Sequence, residues 1–121
     1  MEIKALKKLN NHPNVIKIYE LIRKNEAIYI VQEYCQRSLL NEIEMRAQAN
    51  KPFSEAEIKM IIGQALAAIA YCHRNGLMHR DIKPENFLVK DPTDDNNQAA
   101  TWNQKHLKLI DFGSAREMNE G

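Results

Sequence analysis

A short polar run at residues 79–86 constrains the fold of this chain more than any other feature. Its sequence is His-Arg-Asp-Ile-Lys-Pro-Glu-Asn, and it follows a long helical segment and precedes two short apolar strands. A second polar triplet, Asp111-Phe112-Gly113, comes directly after the second of these strands. We therefore expect a fold built around one polar loop and a small two-stranded platform.

The clearest start of a helix lies upstream of this loop, at Ser54. Ser54 and Glu57 form a capping box, and Phe53 and Ile58 are spaced for a hydrophobic staple across it. Asn75-Gly76 predicts the end of the helix in a left-handed conformation. Its wide apolar face is typical of a helix packed inside a larger unit. That face comprises Ile58, Ile62, Ala65, Leu66, Ile69 and Cys72.

The remaining segments predict an α+β fold. Periodicity favours helix at the start of the chain and before Ser54, whereas β-branched and aromatic residues favour a hairpin and two short strands. A polar turn at residues 23–26 separates the two strands of the hairpin. The predicted helical segments are residues 2–9 and 38–49, the hairpin strands are 15–22 and 27–34, and the short strands are 87–89 and 107–110.

A polar insertion at residues 91–106 separates the two short strands. A hairpin loop usually needs only roughly two to five residues. A calcium loop starting at Asp91 is excluded because its sixth position is Asn96 rather than glycine and its twelfth is Trp102 rather than glutamate. We expect a solvated surface loop.

Composition excludes several classes of protein. The net charge of +1 over 121 residues gives no basis for binding nucleic acid or a membrane surface. No apolar run approaches the ~20 residues of a membrane span. Cys35 and Cys72 fit no metal or redox spacing and are expected to be buried free thiols in a reducing compartment. These features predict an intracellular protein, cytoplasmic or nuclear.

Seven of the eight positions in residues 79–86 match the pattern H-R-D-x-K-P-E-N. With the downstream D-F-G triplet, this run resembles the catalytic loops of eukaryotic protein kinases. The resemblance implies part of a two-lobed fold, from the first-lobe helix through D-F-G, with residues 1–34 in the first lobe and 35–121 in the second. Residues 53–86 resemble most the calcium/calmodulin-dependent kinase group.

The resemblance also implies roles for four side chains in these loops. Asp81 matches the catalytic aspartate that orients the substrate hydroxyl, and Lys83 matches the lysine that reaches the transferring phosphate in serine/threonine kinases. Asn86 and Asp111 match the ligands of Mg²⁺, which prefers hard oxygen donors. The implied reaction is transfer of the γ-phosphate of ATP to a serine or threonine of a protein substrate.

The nucleotide side of the site is implied in the same way. Glu2 falls where the family's helix glutamate pairs with a phosphate-anchoring lysine, and Gln32 falls at the gatekeeper position behind the adenine. The backbones of Glu33 and Cys35 would meet the adenine edge, and Leu88 would pack beneath the purine ring.

Two hypotheses remain open. The chain has no G-x-G-x-x-G loop, V-A-I-K lysine or A-P-E segment. It is therefore either a fragment of an ordinary serine/threonine kinase, inactive alone, or a truncated non-catalytic binding or decoy module. A lone Asp or Asn beside a loop is usually a turn residue, but the intact set favours the first hypothesis. That set is Asp81, Lys83, Asn86 and Asp111. Without the missing segments, we expect the apolar helix face and the hairpin edges to remain in water.

Overall fold

The computed structural model describes residue 9, residues 11–92, residue 102 and residues 104–118. The predicted helix at residues 2–9, including Glu2, and most of the insertion therefore lie outside the described residues. No described helix is long and apolar enough to cross a membrane.

The described residues form an α+β fold, as predicted. Two helices pack beside three small antiparallel sheets, whose strand orders are β1-β2, β3-β5-β6 and β4-β7. The strands are β1 (Ile18–Lys24), β2 (Ala27–Gln32), β3 (Arg37–Ser38), β4 (Leu77–Met78), β5 (Phe87–Lys90), β6 (His106–Leu109) and β7 (Arg116–Glu117); the helices are α1 (Leu39–Gln48) and α2 (Glu55–Arg74), with 3₁₀ turns at Pro84–Asn86 and Phe112–Ser114.

The predicted hairpin is confirmed, with a tighter turn than expected. β1 and β2 pair from Ile18 opposite Gln32 to Lys24 opposite Ala27. The turn consists of Asn25 and Glu26, both with positive φ, 51° and 63°. Two residues of this conformation match the twist of the flanking strands, as in a type I′ turn. The prediction of a four-residue turn is wrong because Arg23 and Lys24 extend β1.

The two-stranded platform consists of β5 and β6, which pair from Phe87 opposite Leu109 to Lys90 opposite His106. The segment before β1 lies along the outer edge of β6. There the Ile16 amide donates to the Leu109 carbonyl at 3.0 Å, and the Leu109 amide donates to the Asn14 carbonyl at 2.8 Å. Both predicted short strands are confirmed to within one residue at their ends.

Helix α2 begins as the sequence predicts. The Ser54 hydroxyl accepts from the Glu57 amide at 3.1 Å, and the Glu57 carboxylate accepts from the Ser54 amide at 3.0 Å. At the other end Asn75 caps the helix, and Gly76 has the predicted left-handed φ of 74°. The capping box and the left-handed stop are both confirmed.

The apolar residues of α2 divide between two faces. Ile61, Ala68 and Cys72 are buried in the core with β5 and β6, whereas three residues of the predicted face are exposed. The exposed fractions are 49% for Ile58, 52% for Ile62 and 60% for Leu66. The expectation that part of the apolar face stays in water is confirmed for these three residues.

One end of the insertion is not solvated. Trp102 is only 3% exposed and belongs to the hydrophobic core. The Lys105 ammonium lies 5.5 Å from the centre of its ring. The prediction of a solvated loop is therefore wrong at Trp102, because burying the large apolar indole outweighs the polar character of its neighbours.

The two cysteines are both free, but they differ in burial. Cys72 is fully buried, and burial raises the pKa of its thiol to about 11. Cys35 is only half-buried, so the prediction of two buried thiols is correct for Cys72 and wrong for Cys35.

Candidate active site

His79 holds the polar loop against the segment that contains Asp111. The Asp81 amide donates to His79 Nδ1 at 3.1 Å, so the ring proton is on Nε2, which donates to the Ile110 carbonyl at 2.7 Å. The ring also packs edge-on against Phe112, with centroids 5.0 Å apart. His79 is therefore a packing residue that joins the two polar segments.

Asp81, Lys83 and Asn86 form one cluster. The Asn86 side-chain amide donates to the Asp81 carboxylate at 3.0 Å and to the Asp81 carbonyl at 2.8 Å. The Lys83 ammonium lies 3.6 Å from the other Asp81 oxygen. The Asp81 carboxylate is about one third exposed. A substrate hydroxyl can therefore reach it.

Asp111 lies beside this cluster in an unusual backbone conformation. Its φ of 59° and ψ of 76° are left-handed, which is uncommon for a residue with a side chain and is frequent at functional sites. The Ile110 amide donates to the Asn86 carbonyl at 2.8 Å. Asn86 is therefore hydrogen-bonded to the residue that directly precedes Asp111. A Cβ at Gly113 would lie 3.2 Å from the Asp111 carboxylate, so glycine leaves room for that group.

Asn86 and Asp111 carry side-chain oxygens of the kind that Mg²⁺ prefers. Because the Asn86 amide nitrogen faces Asp81, its side-chain oxygen is left without a partner among the described residues. The Asp111 side chain is exposed. The described residues contain no cluster of three or more His, Cys, Asp or Glu that could hold a metal.

The segment from Glu33 to Cys35 leaves main-chain groups free for a ligand. The Glu33 amide donates to the Lys17 carbonyl at 2.9 Å. Within the described residues, the Glu33 carbonyl and the amide and carbonyl of Cys35 make no hydrogen bond. These are the groups that the sequence assigns to the adenine edge. Burial, with the nearby Glu33 carboxylate, raises the pKa of the Cys35 thiol.

Leu88 lies on the face of the platform that Glu33 contacts. In β5, Phe87 and Val89 point into the core, so Leu88 and Lys90 lie on the opposite face. The Lys90 ammonium lies 2.8 Å from the Glu33 carboxylate, and the Lys108 ammonium lies 3.3 Å from it. The structure thus brings the predicted residues Glu33 and Leu88 to one surface.

Within the described residues, the predicted residue Gln32 is not joined to this arrangement by a side-chain hydrogen bond. Gln32 is the last residue of β2, opposite Ile18, and its side chain is exposed. Glu2 lies outside the described residues. Lys90 and Lys108 also belong to this surface, and the sequence did not predict them. The one available signal was the presence of one lysine in each of these short apolar strands, Phe-Leu-Val-Lys in β5 and His-Leu-Lys-Leu in β6.

Comparison with known proteins identifies the family. Residues 1–121 match the family model described as "Protein kinase domain". The chain belongs to the protein kinase family. It is 40% identical over 117 residues to "Cyclin-dependent kinase F-4" of Oryza sativa subsp. japonica, covering 97% of this chain and 22% of the relative. It is 41% identical over 117 residues to "Serine/threonine-protein kinase MAK" of Homo sapiens, covering 97% of this chain and 16% of the relative.

A third relative, "Cyclin-dependent kinase-like 4" of Mus musculus, is 36% identical over 120 residues, which are 99% of this chain and 30% of the relative. The chain therefore spans less than one third of the length of these relatives. Two of the three are named as cyclin-dependent kinase or cyclin-dependent kinase-like, and one as a serine/threonine-protein kinase. The resemblance to the calcium/calmodulin-dependent group stays a prediction.

Proposed function

We propose that this chain carries part of the active site of a serine/threonine protein kinase, which transfers the γ-phosphate of ATP to a protein hydroxyl with Mg²⁺. The observation that supports this most strongly is the contact of Asp81, Lys83 and Asn86 beside Asp111. The similarity to relatives named as serine/threonine and cyclin-dependent kinases points the same way.

The cluster offers what phosphoryl transfer requires. The reaction needs alignment of its groups and neutralisation of charge, with little covalent chemistry by the protein. Asp81 is partly exposed and would accept or orient the proton of the attacking hydroxyl. Lys83 is close enough to Asp81 for its ammonium to neutralise charge on the phosphate being transferred. The Asn86 side-chain amide would hold the Asp81 carboxylate in place through its hydrogen bond.

Asn86 and Asp111 would hold the metal. A bound Mg²⁺ neutralises the charge that develops on the phosphate oxygens. The free side-chain oxygen of Asn86 and the exposed Asp111 carboxylate supply hard oxygen donors next to Asp81. A decoy module offers no reason for this arrangement, which favours the catalytic hypothesis.

The adenine would lie between residues 33–35, called the hinge below, and the platform. This is the boundary between the proposed lobe segments 1–34 and 35–121. The free main-chain groups of Glu33 and Cys35 would bind its edge, and Leu88 would contact its face. Gln32 would lie behind the ring, and Glu2 would act on the phosphate side through a lysine outside this chain.

A phosphotransfer assay with the full-length protein tests this proposal. The protein is incubated with Mg²⁺, γ-labelled ATP and a mixed serine, threonine and tyrosine peptide library, and the labelled amino acids are identified. We expect label on serine and threonine, and a loss of about 10³-fold in kcat for Asp81→Asn. The matched control is Glu44→Gln, a loss of charge at an exposed position of α1.

Three outcomes would contradict the proposal. They are no transfer by the wild-type protein, label confined to tyrosine, and an Asp81→Asn variant as active as the Glu44→Gln control.

A further inference from the structure

The buried carboxylate of Glu33 forms ion pairs with lysines from both strands of the platform. The Glu33 side chain is only 6% exposed. One oxygen lies 2.8 Å from the Lys90 ammonium of β5, and the other lies 3.3 Å from the Lys108 ammonium of β6. The two lysines are far from Glu33 in sequence, since Lys90 lies 57 positions after it. This contact therefore joins the end of the hairpin to the platform directly.

A main-chain connection reinforces the same contact. The Lys17 amide donates to the Glu33 carboxylate at 2.9 Å, while the Glu33 amide donates to the Lys17 carbonyl. The segment just before Lys17 is itself hydrogen-bonded to β6 through Asn14 and Ile16. Glu33 is thus attached to β6 by two routes, one ionic and one through the main chain.

The charges in this contact favour a rigid arrangement. Hydrogen bonds between ionised groups are shorter and stronger than neutral ones, above all where water is excluded. Burial by itself would raise the pKa of the Glu33 carboxyl, but the bonds from Lys90 and the Lys17 amide, with Lys108, hold that pKa below its ordinary value. Lys108 is also buried, so without Glu33 its ammonium would lack a counter-ion there.

The contact lies at the proposed adenine site. Leu88 is opposite Lys108 in the platform, and residues directly opposite in an antiparallel pair share a face. Leu88 is therefore on the face where Lys90 and Lys108 hold Glu33. Cys35, with its free main-chain amide and carbonyl, follows Glu33 by two residues. The Glu33 side chain therefore connects the segment with these main-chain groups to the face of the platform that carries Leu88.

We propose that Glu33, held by Lys90 and Lys108, is a positioning residue that sets the separation between the hinge main chain and Leu88. This role rests on the proposed kinase function, and it concerns the side chain of Glu33 rather than its backbone. Loosening the contact would weaken adenine binding without altering Asp81, Asn86 or Asp111. The expected signature is a higher KM for ATP with an unchanged kcat.

Lys90→Met in the full-length protein tests the proposal. Lys90 is one third exposed, so its replacement should leave the fold intact. We expect the KM for ATP to rise about tenfold, with kcat at saturating ATP within about twofold of wild type. Lys90→Arg, which keeps the charge, should restore the KM to within about twofold of wild type. The control is Lys51→Met, an exposed lysine with no ion pair among the described residues.

Glu33→Gln supplies a second variant, which keeps the acceptor for the Lys17 amide but removes the charge. It should raise the KM for ATP at least as much as Lys90→Met does. An unchanged KM in both variants, or a fall in kcat with an unchanged KM, would overturn the positioning role and leave the proposed function in place. A wild-type protein that neither binds nor uses ATP would overturn the proposed function, and the positioning role with it.

Discussion

The β5–β6 platform and the β1–β2 hairpin are both short antiparallel pairs rich in apolar residues, yet their burial is opposite. Val89, Leu107 and Leu109 of the platform are 0% exposed, whereas Ile28 and Ile30 of the hairpin are 55% and 51% exposed. Both pairs are antiparallel along their strands, with one shift of register in the hairpin between Ile18 and Glu20. Strand pairing therefore does not bury these side chains. Packing of the platform against α2 and the segment before β1 does.

This difference divides the proposed active site into two parts. The groups proposed for phosphate transfer lie on loops next to the buried platform, where hydrogen bonds of His79 and Asn86 join them. The groups for adenine lie at the end of the exposed hairpin, where Glu33 is the residue whose side chain ties them to the platform. We therefore expect chemistry and nucleotide affinity to respond to different substitutions.

Two substitutions by alanine, one in each strand pair, test this difference in burial with the largest expected effect. Leu109→Ala removes a fully buried side chain from the platform and should lower the free energy of unfolding by about 3 kcal/mol. Ile30→Ala in the half-exposed hairpin should lower it by less than about 1 kcal/mol. Urea unfolding of the full-length variants measures both values. Equal losses would show that the two strand pairs are buried alike.

The pH dependence of stability gives a smaller effect, at His12. This residue lies in the segment before β1, which connects the hairpin to the platform. Burial, with the charges of Arg74 and Lys108, lowers the pKa of His12 from its ordinary value of 6.5. Its Nδ1 accepts from the Asn14 amide at 3.0 Å, and its ring lies 4.7 Å from that of Tyr71. The folded state therefore favours the neutral ring.

Because the folded state favours neutral His12, the fold should lose stability as the pH falls. As the pH falls below 6.5, the unfolded chain binds a proton more readily than the folded chain, so stability decreases. We expect the melting temperature to fall between pH 7.5 and pH 5.5 by more in the wild type than in His12→Asn. A larger fall in His12→Asn would show that His12 favours its charged form in the fold.

Local signals explain what the sequence could predict. Ser54 and Glu57 fix the start of α2 because a capping box involves only neighbouring residues. Gly76 marks its end, since glycine adopts the left-handed conformation without strain. The clustering of Asp81, Lys83 and Asn86 was predicted from the family resemblance, and their short separation in sequence keeps them together in the fold.

Features that depend on distant parts of the chain could not be predicted in this way. The burial of Trp102 depends on the core that other segments form around it, and its polar neighbours suggested the opposite. The pairing of Glu33 with Lys90 and Lys108 joins three separate strands or strand ends. The two-residue length of the turn was not predicted, because glutamate, as at Glu26, rarely adopts a positive φ.

Nucleotide binding with and without magnesium tests the central claim most directly, namely that Asn86 and Asp111 form a metal site beside Asp81. The affinity of the full-length protein for ATP is measured by calorimetry in Mg²⁺ and in a chelator, for the wild type, Asp111→Asn and the control Glu44→Gln. We predict that Mg²⁺ tightens binding at least about tenfold in the wild type and the control, and that Asp111→Asn abolishes this difference. An equal dependence on Mg²⁺ in Asp111→Asn, or none in the wild type, would contradict the claim.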